Sequence, residues 1–383
     1  MKHSRKIIYL AGFLFSLPIA LASYINSSFM ASFVGERLVG VIYIFGSIAS
    51  ILALLLAPKI FQKIGGYKFL LLIALLGALS FFVLAVTQNV WSVILMFILG
   101  FSMNTLIVFS LDEILKIFSK DPAIGQIRGI YLIVCNLAWI LSQLLFGTIL
   151  GGFSLRIIYF SGFVLMLIFF LVSFFNLKNI PDPQYDKIKS YKYIREFFRK
   201  KNLFRAYGLS FLLQFFYCWM VVYTPIYLHA HLGMPWKEIG LIFAFMLLPF
   251  SLIPFQLGKY ADRIGERKIL MFGFTIAALA TFSLFFVQVD WLWLWAVLLF
   301  ATRVGAATIE VMSDAYFFKH IKPENDEFVG VYRSASPIAY ILGPLAAVLI
   351  FIFIPSFNFI YVILGTLMLY GVYLSSTIRK SDI

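Results

Sequence analysis

Apolar runs of about 20 residues, each bounded by a short polar stretch, follow one another along the entire chain. A helix of about 20 residues crosses a hydrocarbon core of roughly 30 Å, whereas the alternation typical of a membrane-spanning strand is absent. The pattern therefore predicts an all-α integral membrane protein with twelve transmembrane helices. The predicted spans are Ile7–Met30, Leu38–Ala57, Phe69–Thr87, Val90–Leu111, Ile130–Leu150, Ile157–Leu177, Phe204–Leu228, Ile239–Leu257, Ile269–Gln288, Trp291–Val311, Phe328–Ile354 and Phe359–Ser376.

An internal repeat with an offset of 200 to 202 residues relates the two halves of the chain, pairing Gly40 with Gly240 and Gly65 with Gly265. It predicts two pseudo-symmetric six-helix bundles, residues 1–178 and 204–383, joined by a cytoplasmic linker at residues 179–203. The linker is rich in lysine and arginine. Two interpretations of Ile188–Phe198 stay open: an amphipathic helix on anionic headgroups, or a solvated tether.

Charge is sparse and unevenly placed, with 62% hydrophobic and 13% charged residues. A net charge of +14 would suggest nucleic acid as a partner of a soluble protein. With the N-terminus inside the cell, however, 26 of the 31 lysine and arginine residues fall on the cytoplasmic side. This positive-inside bias predicts a multi-pass protein of the plasma (inner) membrane with both termini in the cytoplasm, and it argues against nucleic-acid binding.

The patterns of enzyme, metal and cofactor chemistry are missing from the sequence. Cys135 and Cys218 both lie inside predicted spans, and the histidines and cysteines lack metal-ligand spacing. There is no phosphate-binding glycine loop followed by Lys-Ser/Thr, and no nucleophile triad pattern. We therefore expect no enzymatic activity, no metal and no cofactor.

One polar loop, Gly258–Lys268, has a worn copy at Pro58–Lys68, in which Gln62 replaces the aspartate. The later copy resembles the loop signature of the major facilitator superfamily, and the six-plus-six duplication extends the resemblance to the whole chain. The resemblance implies a secondary transporter whose two bundles rock around a midplane site. The matching signature residues are Gly258, Asp262, Arg263, Gly265, Arg267 and Lys268.

The signature loop suggests a conformational gate. Asp262 is able to accept hydrogen bonds from a helix N-terminus or an arginine, and we expect Arg128 to be its partner. Asp112 and Asp314 lie at cytoplasmic helix ends at repeat-related positions, which suggests a task common to both halves. A clamp that favours the outward-facing state and a simple topological anchor are both compatible with the loop.

Two charges inside the tenth span are candidates for binding the solute or coupling its movement. Of the 17 acidic residues, Glu310 alone lies well inside a span, and ionisable groups in lipid usually face an internal cavity. Arg303 lies seven residues earlier on the same helix stripe, near the midplane. A structural ion pair of Arg303 with Glu310 or another helix is the alternative. If transport is proton-coupled through a carboxylate, Glu310 is the candidate, while uniport and sodium coupling stay open.

The other candidates for the solute site are aromatic or amide side chains on the helices that line the cavity in the family. For each of them, packing between helices is the alternative role. An arginine beside aromatic rings favours an anionic or amphipathic small organic solute, and we expect a monomer. A membrane receptor, assembly factor or lipid-moving protein on the same fold is the alternative function. These further candidates are Asn136, Trp139, Gln143, Gln214, Tyr217, Asn26 and Asn104, with Trp219, Tyr223 and Tyr340.

Overall fold

The computed structural model describes residues 2–117, 124–149, 154–178, 192–253, 257, 265–321, 327–354 and 356–378. All regular secondary structure in these ranges is helical. The helices are α1 (Lys2–Ser23), α2 (Asn26–Val34), α3 (Glu36–Ile64), α4 (Gly66–Val86), α5 (Val90–Ile117), α6 (Ile124–Ile149), α7 (Arg156–Asn176), α8 (Lys192–Arg199), α9 (Lys201–Val222), α10 (Trp236–Leu247), α11 (Glu266–Phe286), α12 (Leu292–Lys319), α13 (Glu327–Arg333), α14 (Ala335–Phe353) and α15 (Phe359–Ser376).

Twelve helical segments of the described chain are long and apolar enough to cross a membrane, so the predicted all-α fold with twelve spans is confirmed. Large apolar side chains are exposed along them, for example Phe286 at 77% and Phe353 at 80%. A water-soluble protein rarely leaves so much apolar surface uncovered. In a membrane protein the same side chains contact lipid.

Four predicted spans are interrupted in the structure; in the eighth, a turn at Leu248 separates α10 from a further helical stretch at residues 249–253. The first divides between α1 and α2, where the Ser23 hydroxyl donates to the Ile19 carbonyl at 2.6 Å, a local bond that bends helices. The seventh continues beyond α9 as a short turn, Thr224–Ile226, and a π-helical turn, Tyr227–His231. The eleventh divides at Ser334, which places Pro337 in the first turn of α14, where a missing N–H leaves no hydrogen bond unmade.

Two glycines at repeat-related positions start α4 and α11. Gly65 has φ 83° and ψ 153°, and Gly265 has φ 85° and ψ 146°. Positive φ of this kind is readily adopted only by glycine, so both halves use the same backbone turn before the third helix of each six-helix set. The repeat seen in the sequence is therefore a repeat of local structure at this point.

The helices assemble into two units. The first contains the described residues of 1–186 together with 235–244. In it α1 packs on α6 and α7, and α4 packs on α5 and α7. Backbones approach closely where a Cβ at Gly240 would lie 2.8 Å from the Gly147 Cα, the kind of small-residue contact that membrane helices favour.

The second unit contains the described residues of 187–234 and 245–383. Here α11 packs on α12 and α15, while α9 packs on α12, α14 and α15. The Trp219 indole nitrogen donates to the Gly343 carbonyl at 2.8 Å and ties α9 to α14. Because α9 and α12 are neighbours in this unit, the polar residues on their facing sides meet.

Candidate functional site

Arg303 lies buried on α12 in the second unit, with only 1% of its surface exposed. Its guanidinium carbon is 5.4 Å from the centre of the Phe216 ring and 5.5 Å from that of Tyr217. Both rings belong to α9. Aromatic faces attract a guanidinium, so these contacts hold the cation in an apolar setting.

Two donor atoms of that guanidinium, Nε and Nη1, are buried and make no hydrogen bond among the described residues. No carboxylate in that part of the chain forms an ion pair with it. A buried charge without a hydrogen-bonding partner is costly, and native proteins rarely keep one without a reason. The arrangement leaves two donors of Arg303 both buried and without a partner among the described residues.

Tyr217 connects this cation to Glu310. Its ring lies against Arg303, and its hydroxyl donates to Glu310 Oε2 at 2.9 Å. Phe250 packs against the same tyrosine with ring centres 6.0 Å apart. The structure thus brings together three sequence-predicted candidates, Arg303, Glu310 and Tyr217, and it joins the two charges through an aromatic ring rather than through a direct ion pair.

Nearer the end of α12, Asp314 is held by two residues of α13. It accepts a hydrogen bond from Arg333 Nη2 at 3.0 Å and another from the Tyr332 hydroxyl at 2.9 Å. These bonds fix the end of α12 to α13. The in-span charge of Arg333, which the sequence left without a role, is therefore paired with the carboxylate of Asp314.

The signature loop is only partly within the described residues. Gly258, Asp262 and Arg263 lie outside them, as does the side chain of Arg128, so the expected contact between Asp262 and Arg128 also lies outside them. Arg267 and Lys268 are exposed in the first turn of α11. Beside them the Glu266 carboxylate pairs with Lys319 at the end of α12, a contact that the sequence did not suggest.

A cavity of 230 Å³ lies within the first unit, among α1, α2, α4, α5 and α7. It brings together two further candidates, Asn26 and Asn104. The Tyr159 hydroxyl donates to Asn26 Oδ1 at 2.8 Å, whereas Asn104 Oδ1 is buried without a partner among the described residues. The remaining described wall combines aromatic rings with aliphatic and small side chains and carries no charge, which gives a small cavity suited to an uncharged polar group.

The remaining candidates are not gathered at either site. Gln143 is buried, and its amide donates to the Ala20 carbonyl at 2.8 Å, which makes it a packing contact between α6 and α1. Trp139 packs edge-on against Tyr24. Asn136 is half-buried on α6 and Gln214 on α9, one turn before Tyr217. Asp112 is exposed on α5.

Several residues of these sites were missed by sequence reasoning. Phe216 and Phe250 contact the Arg303 site, and Tyr159 closes the first-unit cavity. A phenylalanine in a transmembrane segment carries no signal that separates it from lipid-facing neighbours. In the described part of the chain, no group of three or more His, Cys, Asp or Glu side chains is placed to hold a metal ion.

Comparisons of the sequence and of the structure with known proteins point to the same family. The sequence pattern of the Major Facilitator Superfamily matches residues 8–289 and 225–381, while no curated protein matches the chain by sequence. Similar solved structures include the nucleoside transporter NupG, at 14% identity and a TM-score of 0.77, covering 97% of this chain and 98% of that one.

Two other solved structures are similar over nearly the full length. The human organic anion transporter MFSD10 (TETRAN) is 15% identical, with a TM-score of 0.67 and coverage of 98% of this chain and 99% of its own. An auto-inhibited peptide transporter of the POT family is 10% identical, with a TM-score of 0.79 and coverage of 100% and 98%. The family pattern over almost the whole chain, with twelve membrane-length helices, shows that this protein belongs to the major facilitator superfamily and is a membrane transporter.

Proposed function

We propose that the protein is a secondary active transporter that moves a small anionic or amphipathic organic solute across the plasma membrane by alternating access. The observation that carries the proposal is the buried Arg303, whose two free donors are available to a carboxylate or phosphate. The solved relatives are named for nucleosides, organic anions and peptides. At 10 to 15% identity they support the fold alone, so the solute class rests on the arginine.

Arg303 is the residue that binds the solute in this proposal. Its guanidinium lies against the rings of Phe216 and Tyr217, and its Nε and Nη1 atoms are left for the anion. Tyr217, which is half-buried, offers ring surface to an apolar portion of the solute. A bidentate bond between guanidinium and carboxylate is stronger than a neutral hydrogen bond. Burial strengthens it further because water competes less.

Glu310 is the proton-coupling residue in this proposal, and Tyr217 transmits its state. The charged neighbours of Glu310 are Asp314, Arg333 and Arg303. When ionised, Glu310 accepts the hydrogen bond from Tyr217. Protonation weakens that charge-assisted bond and frees the ring that lies against Arg303. Proton uptake on one side of the membrane therefore alters the contacts of the solute-binding cation.

The signature loop forms the conformational gate in this proposal, with both termini in the cytoplasm and the protein acting as a monomer. Gly265 supplies the turn that begins α11, and Glu266 with Lys319 joins α11 to α12 beside the loop. Asp314 and Arg333 fix α12 to α13. These contacts favour movement of the helix ends of the second unit as a group.

The test is a thermal-shift screen of the purified protein against organic anions, sugars, amino acids, nucleosides and lipophilic cations. A ligand at 100 times its dissociation constant stabilises the folded state by about 2.7 kcal/mol. We expect an organic anion to raise Tm in the wild type and in Arg37→Gln, whose arginine is exposed, but not in Arg303→Gln. A hit that Arg303→Gln retains would overturn the assignment of the site. An uncharged solute as the strongest hit would overturn the solute class.

A further inference from the structure

A basic pocket of 460 Å³ lies in the second unit, at the start of α9. Its size is within the range of small-molecule sites, and it is separate from the Arg303 site in its lining residues. Among the described residues, three lysine and arginine side chains contribute to its wall and no acidic residue does. The lining residues are Lys200, Lys201, Asn202, Leu203, Arg205 and His320.

The positive charge of this pocket is only partly neutralised within the described chain. Lys200 is engaged, since its Nζ lies 2.8 Å from Glu196 Oε1 and 4.7 Å from the centre of the Phe328 ring. Lys201 and Arg205 form no ion pair with a carboxylate of the described residues. Two cations on one wall repel each other, and an anion between them removes that repulsion.

The start of α9 adds a feature of the pocket that suits a phosphate group. His320 Nδ1 donates a hydrogen bond to the Tyr316 carbonyl at 2.7 Å, which fixes the imidazole ring at the pocket wall. The 22-residue helix α9 begins at Lys201, and no side chain caps its first turn. The free backbone N–H groups of a helix start favour an anion, and here they coincide with the cationic wall.

The surface beside the pocket is apolar and aromatic. Helix α8 is fixed to the unit by Phe197, which is fully buried against Tyr207, Phe317 and Phe328. The next residue, Phe198, is 39% exposed, and Phe204 on α9 is 56% exposed. Exposed aromatic rings next to lysine and arginine are typical of segments that lie at the boundary between headgroups and acyl chains.

We propose that this pocket binds the phosphate of an anionic phospholipid, with Lys201 and Arg205 as its main ligands and the acyl chains beside Phe198 and Phe204. In the proposed orientation the pocket faces the cytoplasmic leaflet, where anionic lipids concentrate. A soluble phosphate would use the same cations but would gain nothing from the exposed rings. The bound lipid would fix α8, and with it the linker, to the start of α9.

The experiment measures binding of short-chain lipids to the full-length protein in an uncharged detergent, by native mass spectrometry and by the shift in Tm. Dioctanoyl phosphatidylglycerol and dioctanoyl phosphatidylcholine have the same chains and differ in headgroup charge. We expect the phosphatidylglycerol to bind at least tenfold more tightly than the phosphatidylcholine. Each basic residue near a headgroup is worth about fivefold in affinity, so Lys201→Gln/Arg205→Gln should weaken it roughly thirtyfold.

The matched control is Lys63→Gln/Lys68→Gln, which removes the same charge from exposed positions of the first unit and should change affinity less than twofold. The single variant Lys201→Gln, at an exposed side chain, covers the case in which the double variant does not fold. Its affinity for phosphatidylglycerol should fall about fivefold. Unchanged affinity in both pocket variants, or an equal loss in the control, would overturn the proposal. Inorganic phosphate that stabilises as well as the lipid would overturn the assignment to a lipid.

Discussion

Replacing Arg303 by methionine should stabilise the empty protein while it abolishes solute binding. Methionine keeps an unbranched apolar stem and removes the buried charge. Two buried donors without partners, Nε and Nη1, each cost about 1–3 kcal/mol. The two ring contacts, to Phe216 and Tyr217, each return about 0.5–2 kcal/mol. The difference predicts a gain in the free energy of unfolding of about 1–2 kcal/mol.

The assay is chemical unfolding of the two proteins in the same detergent without solute. Arg333→Met is the matched control, because it removes an arginine that is paired with Asp314 at 3.0 Å but is exposed, where such a pair contributes about 0.5 kcal/mol or less. The control should therefore be neutral or slightly destabilised. If Arg303→Met lost more than about 2 kcal/mol, the guanidinium would belong to a bonded structural network. The argument for an anion-binding role would then fail.

Two further predictions concern packing. Gly240→Ala should destabilise the protein by about 1–3 kcal/mol, because the new Cβ would lie 2.8 Å from Gly147 backbone atoms. Its control is Gly330→Ala, where nothing lies within 4 Å of the new Cβ. A similar Tm for both variants would contradict the close backbone contact. Phe197→Ala should cost about 3–5 kcal/mol of local stability and speed hydrogen exchange in α8. Phe198→Ala, at a side chain that is 39% exposed, should do neither. Equal protection of the α8 amides from exchange in both variants would refute the anchoring role of Phe197.

The span pattern and the repeat were predictable because each rests on local sequence. Twenty apolar residues must form a helix in lipid, where no water satisfies the backbone. The turn at Gly265 follows from the repeat, which pairs Gly265 with Gly65 in the sequence. The two glycines have matching backbone angles in the structure. The breaks at Tyr24 and Ser334 were not predicted, because Ser23 and Ser334 resemble the serines that continue other helices.

The candidate site was predictable only along a single helix. The seven-residue spacing of Arg303 and Glu310 places both on one stripe of α12, and the helix keeps them there. That Tyr217 bridges them depends on the register between α9 and α12, which packing sets and one sequence does not reveal. The same limit explains Gln143, which faces α1 instead of a cavity, and the pairing of Arg333 with Asp314.

Solute counterflow in proteoliposomes is the measurement that tests the central claim most directly. Vesicles loaded with an unlabelled organic anion should accumulate the labelled anion transiently, while its uncharged amide analogue should not exchange. Arg303→Gln should eliminate the signal, and Glu310→Gln should keep exchange but lose accumulation driven by a proton gradient. Exchange that persists at the wild-type rate in Arg303→Gln, or that is equally fast for the amide, would contradict the claim that Arg303 binds the anion.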